Sequence, residues 1–196
     1  MAKNFQLLLM LCKPIAQEVL KEMDNHRIFV HSGAKITTDK PILYRWWFPV
    51  SIAEKIRDAY KAEKGEDILE HVEKRQLEDG NTYYALYFGK SNYGARRFHQ
   101  HTQRKVYHST LRKVIYGLLI NKIYDESREG EVSDILQQCV CDWMEFPNKE
   151  DGKLVECIEG ICIALGHYPL NVDGNPAFSD DWRDYVIRKR KITHVR

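Results

Sequence analysis

The sequence predicts an α+β fold: a small, mostly antiparallel central sheet flanked by helices, with an N-terminal helix and a helical insertion. Three observations carry this. Amphipathic helical periodicity marks both ends of the chain, short aromatic-rich strand patterns lie between them, and the elements run helix, strands, helices, strand, helix. At 196 residues, with 43% hydrophobic residues and a mean hydropathy of -0.52, the chain is long enough to bury one core but not several.

The first element is helical over residues 4–23. Lys13 interrupts the early apolar run, and Ile15, Val19, Leu20 and Met23 continue an amphipathic pattern, so the stretch reads as neither a leader nor a membrane span. Pro14 is expected to shift or bend this helix. Two strand-like pieces follow, RIFVH (27–31) and PILYRWWFP (41–49), separated by a loop containing Gly33. Ser51 with Glu54 three residues on is a capping-box pattern for a helix that Gly65 would stop. A second charged helical stretch is expected over 66–78, up to the turn signal Asp79-Gly80-Asn81. The block 51–79 thus reads as a helical insertion.

TYYALYFG (82–89) is the next strand. A helix over 94–103 follows, and Ser109-Thr110 cap another that extends through LRKVIYGLLINKIYDE. QQCVCDWMEF alternates as a strand with Cys139, Cys141 and Trp143 on one face. The last predicted helix spans 151–166, with the stripe Leu154, Ile158, Ile161, Cys162 and Leu165. The chain divides into an extension (1–40), a main unit (41–175) and a basic C-terminal tail (176–196). The five cysteines lack zinc-ligand spacing and sit among apolar neighbours, so they read as reduced core residues of a cytoplasmic protein.

Net charge is only +2, but its distribution is uneven. Acidic residues crowd into 54–79 and 124–159, whereas 90–113 contains none and 188–196 is basic. Such asymmetry suggests a polyanion-binding face. Arg97 and His101 are four residues apart and share a helical face, and Lys90 lies just past a strand end beside Tyr87. A guanidinium, an ammonium, an imidazole and a phenol in one place suit a phosphodiester, since arginine grips phosphate oxygens and tyrosine or histidine moves a proton. Far along the chain, Glu159 lies at the edge of an apolar helical stripe, whereas Glu156 faces away from it. A half-buried carboxylate can hold a hard divalent cation, so Glu159 is the better candidate.

Taken in order, Tyr87-Phe88-Gly89, Lys90, Arg97, His101, Glu159 and Pro169-Leu170-Asn171 resemble the motifs of the GIY-YIG nuclease superfamily. The stretch Ser109-Thr110-Leu111-Arg112, followed by Gly117-Leu118-Leu119, is similar to a block of its stand-alone members. The first motif is matched by Ile42-Leu43-Tyr44, without its glycine, and the long gap to Tyr87 is that of members with an insertion.

The resemblance implies hydrolysis of DNA phosphodiesters with one Mg2+ or Mn2+ held by Glu159. It makes Tyr44 or Tyr87 the general base, assisted by Lys90. Arg97 stabilises the phosphate, His101 relays a proton or anchors phosphate, and Asn171 supports the glutamate helix. Arg96, Arg104, Lys105, Arg112 and Lys113 are candidate backbone contacts, salt-dependent in character. The basic run Arg188-Lys189-Arg190-Lys191 is a further candidate. No small-molecule cofactor and no membrane are expected, and cutting both strands with one site takes a homodimer or sequential nicks. The alternatives are a catalytically inactive DNA-binding or scaffold protein on the same fold, and an RNA-binding protein using the aromatic-basic strand.

Overall fold

Strand β2 (Ile42–Pro49) is buried along almost its whole length, and such a strand must lie inside a sheet covered on both faces. In the computed structural model it does. The structure describes residues 2–25, 30–31, 36–64, 67–102, 105–120, 123–171, 175, 178–191 and 193–194. Strand β2 is central in the antiparallel order β1-β6-β2-β4-β3, formed with β1 (Val30–His31), β3 (Lys74–Gln76), β4 (Thr82–Ser91) and β6 (Val140–Glu145). The predicted α+β architecture is therefore found.

Alternation along β2 sends Ile42, Tyr44, Trp46 and Phe48 into one core, and Leu43 and Trp47 into the other. The first core is covered by α2 (Val50–Lys64), α3 (Gly94–Thr102), α4 (Thr110–Leu119), α5 (Glu129–Gln137) and α7 (Asp180–Arg190). On the second face α1 (Ala2–Asn25) packs against α6 (Gly152–Leu165), with Ala16, Met23, Ile158 and Cys162 in the shared core. A two-residue parallel pair, β5 (Ile123–Tyr124) with β7 (Thr193–His194), lies apart from the main sheet.

A bulge in β4 sets which residues share a face. Trp46 pairs with Tyr87 but Trp47 pairs with Ala85, so Leu86 is an extra residue and the alternation of β4 reverses there. Before the bulge, Tyr83 and Ala85 enter the second core; after it, Tyr87 enters the first, together with Tyr44. An unbulged strand would send Tyr87 to the opposite face.

Several expectations are corrected. Helix α2 starts at Val50, directly after Pro49, so Ser51 lies inside its first turn rather than capping it. The predicted second helix of the insertion is instead a bend and turn followed by β3, because the Asp79-Gly80-Asn81 turn returns the chain antiparallel onto β4. The helix from Ser109 stops at Leu119, and Tyr116 Oη bonds the backbone at Ile123 and Asp125 to turn the chain away. Helix α5 was not foreseen; its apolar stripe is only Val132, Ile135 and Leu136.

On α6 the buried stripe uses Val155, while Leu154 is exposed. Cys157 is also exposed, unlike Cys139, Cys141 and Cys162, and the side chain of Cys12 lies outside the described residues, as do Gly33, Gly65 and 27–29. Helix α1 continues through Pro14. The segment read as a tail contains α7, whose Trp182, Tyr185 and Val186 are buried. Its Arg188-Lys189-Arg190 run forms the last helical turn, where positive charge meets the helix dipole favourably.

Helix α7 lies so close to α4 that a Cβ on Gly117 would stand 1.8 Å from the backbone oxygen of Lys189. Neither helix can yield locally, so Gly117→Ala is expected to lower stability by about 1–3 kcal/mol in urea denaturation. Gly130→Ala, where a Cβ meets nothing within 4 Å, should leave stability unchanged or raise it slightly.

Candidate active site

The candidate residues meet where β2, β4 and α3 come together. Tyr44 pairs across the sheet with Gly89, and a Cβ on Gly89 would lie 2.6 Å from the Cζ and Oη atoms of Tyr44. The glycine is needed because the Tyr44 ring lies across β4, over the space a side chain would take. Tyr87 faces the same way, its ring 6.4 Å from that of Tyr44.

Helix α3 supplies the cationic side. Arg97 Nε donates to Tyr44 Oη at 3.1 Å, and the charge of the guanidinium also acts on Tyr87. His101, one turn on and 1% exposed, places Nε2 2.8 Å from Tyr44 Oη. Burial, then the charges of Arg97 and Arg112, hold His101 well below the ordinary histidine range, so it is neutral at neutral pH. Burial, then Tyr87, hold the Tyr44 hydroxyl well above its ordinary value, with Arg97 opposing. Tyr87 is raised by burial as well, again opposed by Arg97.

The outer edge of β4 carries the rest. Strand β3 pairs only with Thr82–Tyr84, which leaves the later backbone groups of β4 to find other partners. Leu170 N donates to Leu86 O at 2.9 Å, and the Asn171 amide both donates to Phe88 O and accepts from Phe88 N, each at 2.7 Å. Asn171 thus takes the place of a neighbouring strand. Trp182 Nε1 fixes this segment by donating to Pro169 O at 2.8 Å. Next along the edge, the Glu159 carboxylate lies beside the backbone N–H of Lys90, whose field favours its charged form. Glu159 is half-buried, and burial pushes its carboxyl up from 4.5 to about 7, against the pull of Lys90 and Arg97. Lys90 Nζ pairs with Glu156 at 3.5 Å on the same side of α6.

The sequence-predicted set Tyr44, Tyr87, Lys90, Arg97, His101, Glu159 and Asn171 therefore gathers around one end of β4. Tyr44, Tyr87, Arg97 and His101 share one face of the sheet, and Lys90, Glu159 and Asn171 line the strand edge. Of the proposed backbone contacts, Arg96 and Lys105 are exposed and Lys113 is half-buried; Arg104 lies outside the described residues. Arg112 requires a correction. It is fully buried, donating to His101 O at 3.1 Å, Ser133 Oγ at 3.1 Å and Glu129 O at 3.4 Å, so it joins elements internally and is closed to a ligand. Ser109, read from the sequence as a helix cap and as the start of the Ser109-Thr110-Leu111-Arg112 block, also lies 2.6 Å from His101 Nδ1.

A family model described as the GIY-YIG catalytic domain matches residues 42–192. The chain belongs to the GIY-YIG family. No curated protein and no solved structure matches it. GIY-YIG membership carries a nuclease-type function, with DNA as the substrate such a domain implies. The match runs through α7, so the helix that pins Pro169 belongs to the GIY-YIG unit, whereas α1 and β1 precede it.

The donor set also bears on a metal. Among the described residues no group of three or more His, Cys, Asp or Glu could enclose an ion. A single half-buried carboxylate at the edge of β4 does fit a small hard cation that keeps several waters and takes its remaining ligands from a substrate phosphate. No helix among the described residues is long and apolar enough to cross a membrane.

Proposed function

We propose that this GIY-YIG protein is a DNA endonuclease that depends on a divalent cation, Mg2+ or Mn2+, held through Glu159. The observation that carries the reading is the bond from Arg97 to Tyr44, with Tyr87 in the same charge field, beside a half-buried Glu159. A protein that merely bound DNA would gain nothing from keeping a desolvated carboxylate next to two buried phenols. When bound, the cation supplies positive charge to the phosphate and to the leaving 3′-oxygen.

The chain's own residues do the rest. Arg97 neutralises charge that builds on the phosphate in the transition state. Tyr44 or Tyr87 takes the proton of the attacking water. The ammonium of Lys90, at the strand edge, adds positive field there, and Asn171 holds β4 in register. Arg96, Lys105 and Lys113 contact the DNA backbone, and a homodimer or two sequential nicks would be needed to cut both strands.

A plasmid nicking assay tests this reading. Wild-type protein should convert supercoiled DNA to open circles with Mg2+ or Mn2+ and not with chelator. Arg97→Ala should slow nicking about 10²- to 10³-fold, the usual loss when a preorganised transition-state donor is removed. DNA binding without any cation-dependent nicking would instead identify an inactive binding protein on the same fold.

A further inference from the structure

The hydroxyl of Ser109 has few places to put its hydrogen. Ser109 is 1% exposed and caps α4 by accepting from Arg112 N at 3.3 Å. Its other partner is His101 Nδ1, at 2.6 Å. Among the described residues His101 Nδ1 is the one acceptor within its reach. Were His101 protonated on Nδ1, both nitrogen donors would point at the Ser109 oxygen, and its buried O–H would be left without an acceptor, which proteins avoid. Donation from Ser109 to Nδ1 satisfies both groups and places the histidine proton on Nε2.

From this chain of donors we infer that Ser109 is a positioning residue that fixes His101 as the Nε2–H tautomer, making His101 a hydrogen-bond donor to Tyr44 and not the acceptor of its proton. The inference rests on the nuclease reading and assigns the general base to Tyr44. The Tyr44 oxygen then receives two N–H donors, from His101 Nε2 at 2.8 Å and Arg97 Nε at 3.1 Å. Its own hydrogen must point away from both, toward Tyr87. To serve as base Tyr44 passes that proton to solvent by way of Tyr87, and the two donors hold the phenolate against the burial that disfavours it. The phenolate then takes one proton from the attacking water as the hydroxide oxygen bonds to phosphorus and the P–O3′ bond breaks; this restores Tyr44, and the departing 3′-oxyanion takes up from solvent a proton equal to the one Tyr44 released. His101 stays neutral throughout, in keeping with its enclosed position between α3 and α4.

The experiment is 15N NMR of the full chain labelled at histidine, without metal or DNA, with the His101→Gln variant used to assign the signal. Wild-type His101 should show the neutral Nε2–H pattern at pH 7. Ser109→Ala should shift it toward Nδ1–H or a mixture, and Ser109→Thr, which keeps the hydroxyl, should retain the wild-type pattern. An Nδ1–H tautomer in the wild type overturns the inference whatever the variants do. In nicking assays His101→Gln, able to donate but not to act as a base, should stay at least tenfold more active than His101→Ala. Equal loss in both variants would also overturn it. The spectra decide the tautomer even if the wild type cuts no DNA, so failure of the nuclease reading is told apart from failure of this one.

Discussion

Replacing Glu159 with glutamine is expected to abolish cation-dependent nicking and, in the same molecule, to raise thermal stability at alkaline pH. The loss of activity follows from losing the candidate ligand: a bound cation contributes several kcal/mol to charge stabilisation, equivalent to about 10³-fold or more in rate. The gain follows from burial. A carboxyl raised from 4.5 to about 7 is one whose charged form the fold disfavours. Its contribution to stability is fully present below the unfolded value near 4.5 and is lost as pH rises through about 7. At pH 8 without a cation the wild type therefore carries a penalty on the order of 2–3 kcal/mol. Glutamine has the same shape and carries no charge. Melting curves in chelator at pH 5 and pH 8 should show a fall in Tm for the wild type that is much reduced in the variant. Parallel curves for the two proteins would refute the burial argument, and undiminished nicking would remove Glu159 from the site.

Asp142→Ala is expected to cost about 3–5 kcal/mol, because it strands a buried guanidinium. Arg45 and Asp142 face each other across β2 and β6, at 1% exposure each, and Arg45 Nη2 donates to Asp142 Oδ2 at 2.5 Å. Asp142 Oδ1 also accepts from Trp47 Nε1 at 3.0 Å, so two donors lose their partner together. Burial opposes the charge on Arg45, but the Asp142 carboxylate outweighs it and raises Arg45 above its ordinary value. Asp24 on α1 and Glu73 before β3 also pair with Arg45, at 3.0 and 3.4 Å, but both are partly open to water and cannot replace the enclosed carboxylate. Urea denaturation measures the loss. The double change Arg45→Met with Asp142→Leu should cost clearly less than Asp142→Ala, since it removes both charges and fills their space. If the double variant were the less stable, the pair itself would be the source of stability.

Much of this was legible in the sequence because it is local. The four-residue spacing of Arg97 and His101 does put both on one helical face, Ser109 does cap α4, and the glycine of Tyr87-Phe88-Gly89 turns out to make room for Tyr44. Features that depend on distant partners were not. Lys74–Gln76 has the charge pattern of a surface helix, and only pairing with β4 makes it a strand. Arg112 looks like one more member of a basic run; its burial depends on carbonyls at 101 and 129, which no local pattern reveals. Nor does the sequence announce the reversal at Leu86 or the bond between Arg45 and Asp142, which arise from strand register. On α6 the predicted stripe holds at Ile158, Ile161 and Cys162 and misses only at its start, where Val155 and not Leu154 is buried, and Glu159 lies at its edge.

The order in which the chain is synthesised gives the β4 edge another significance. Tyr44, Tyr87, Arg97 and His101 emerge early, but β2 lacks one of its two sheet neighbours until β6 has been made, and Glu159 and Asn171 come later still. Trp182, which holds Pro169, follows them. Contacts so distant in sequence form late, after loop closure has been paid for. A nascent chain thus holds the basic, aromatic half of the candidate site before the carboxylate and amide that border it, and the two halves can meet only once residues 159–182 have also been made.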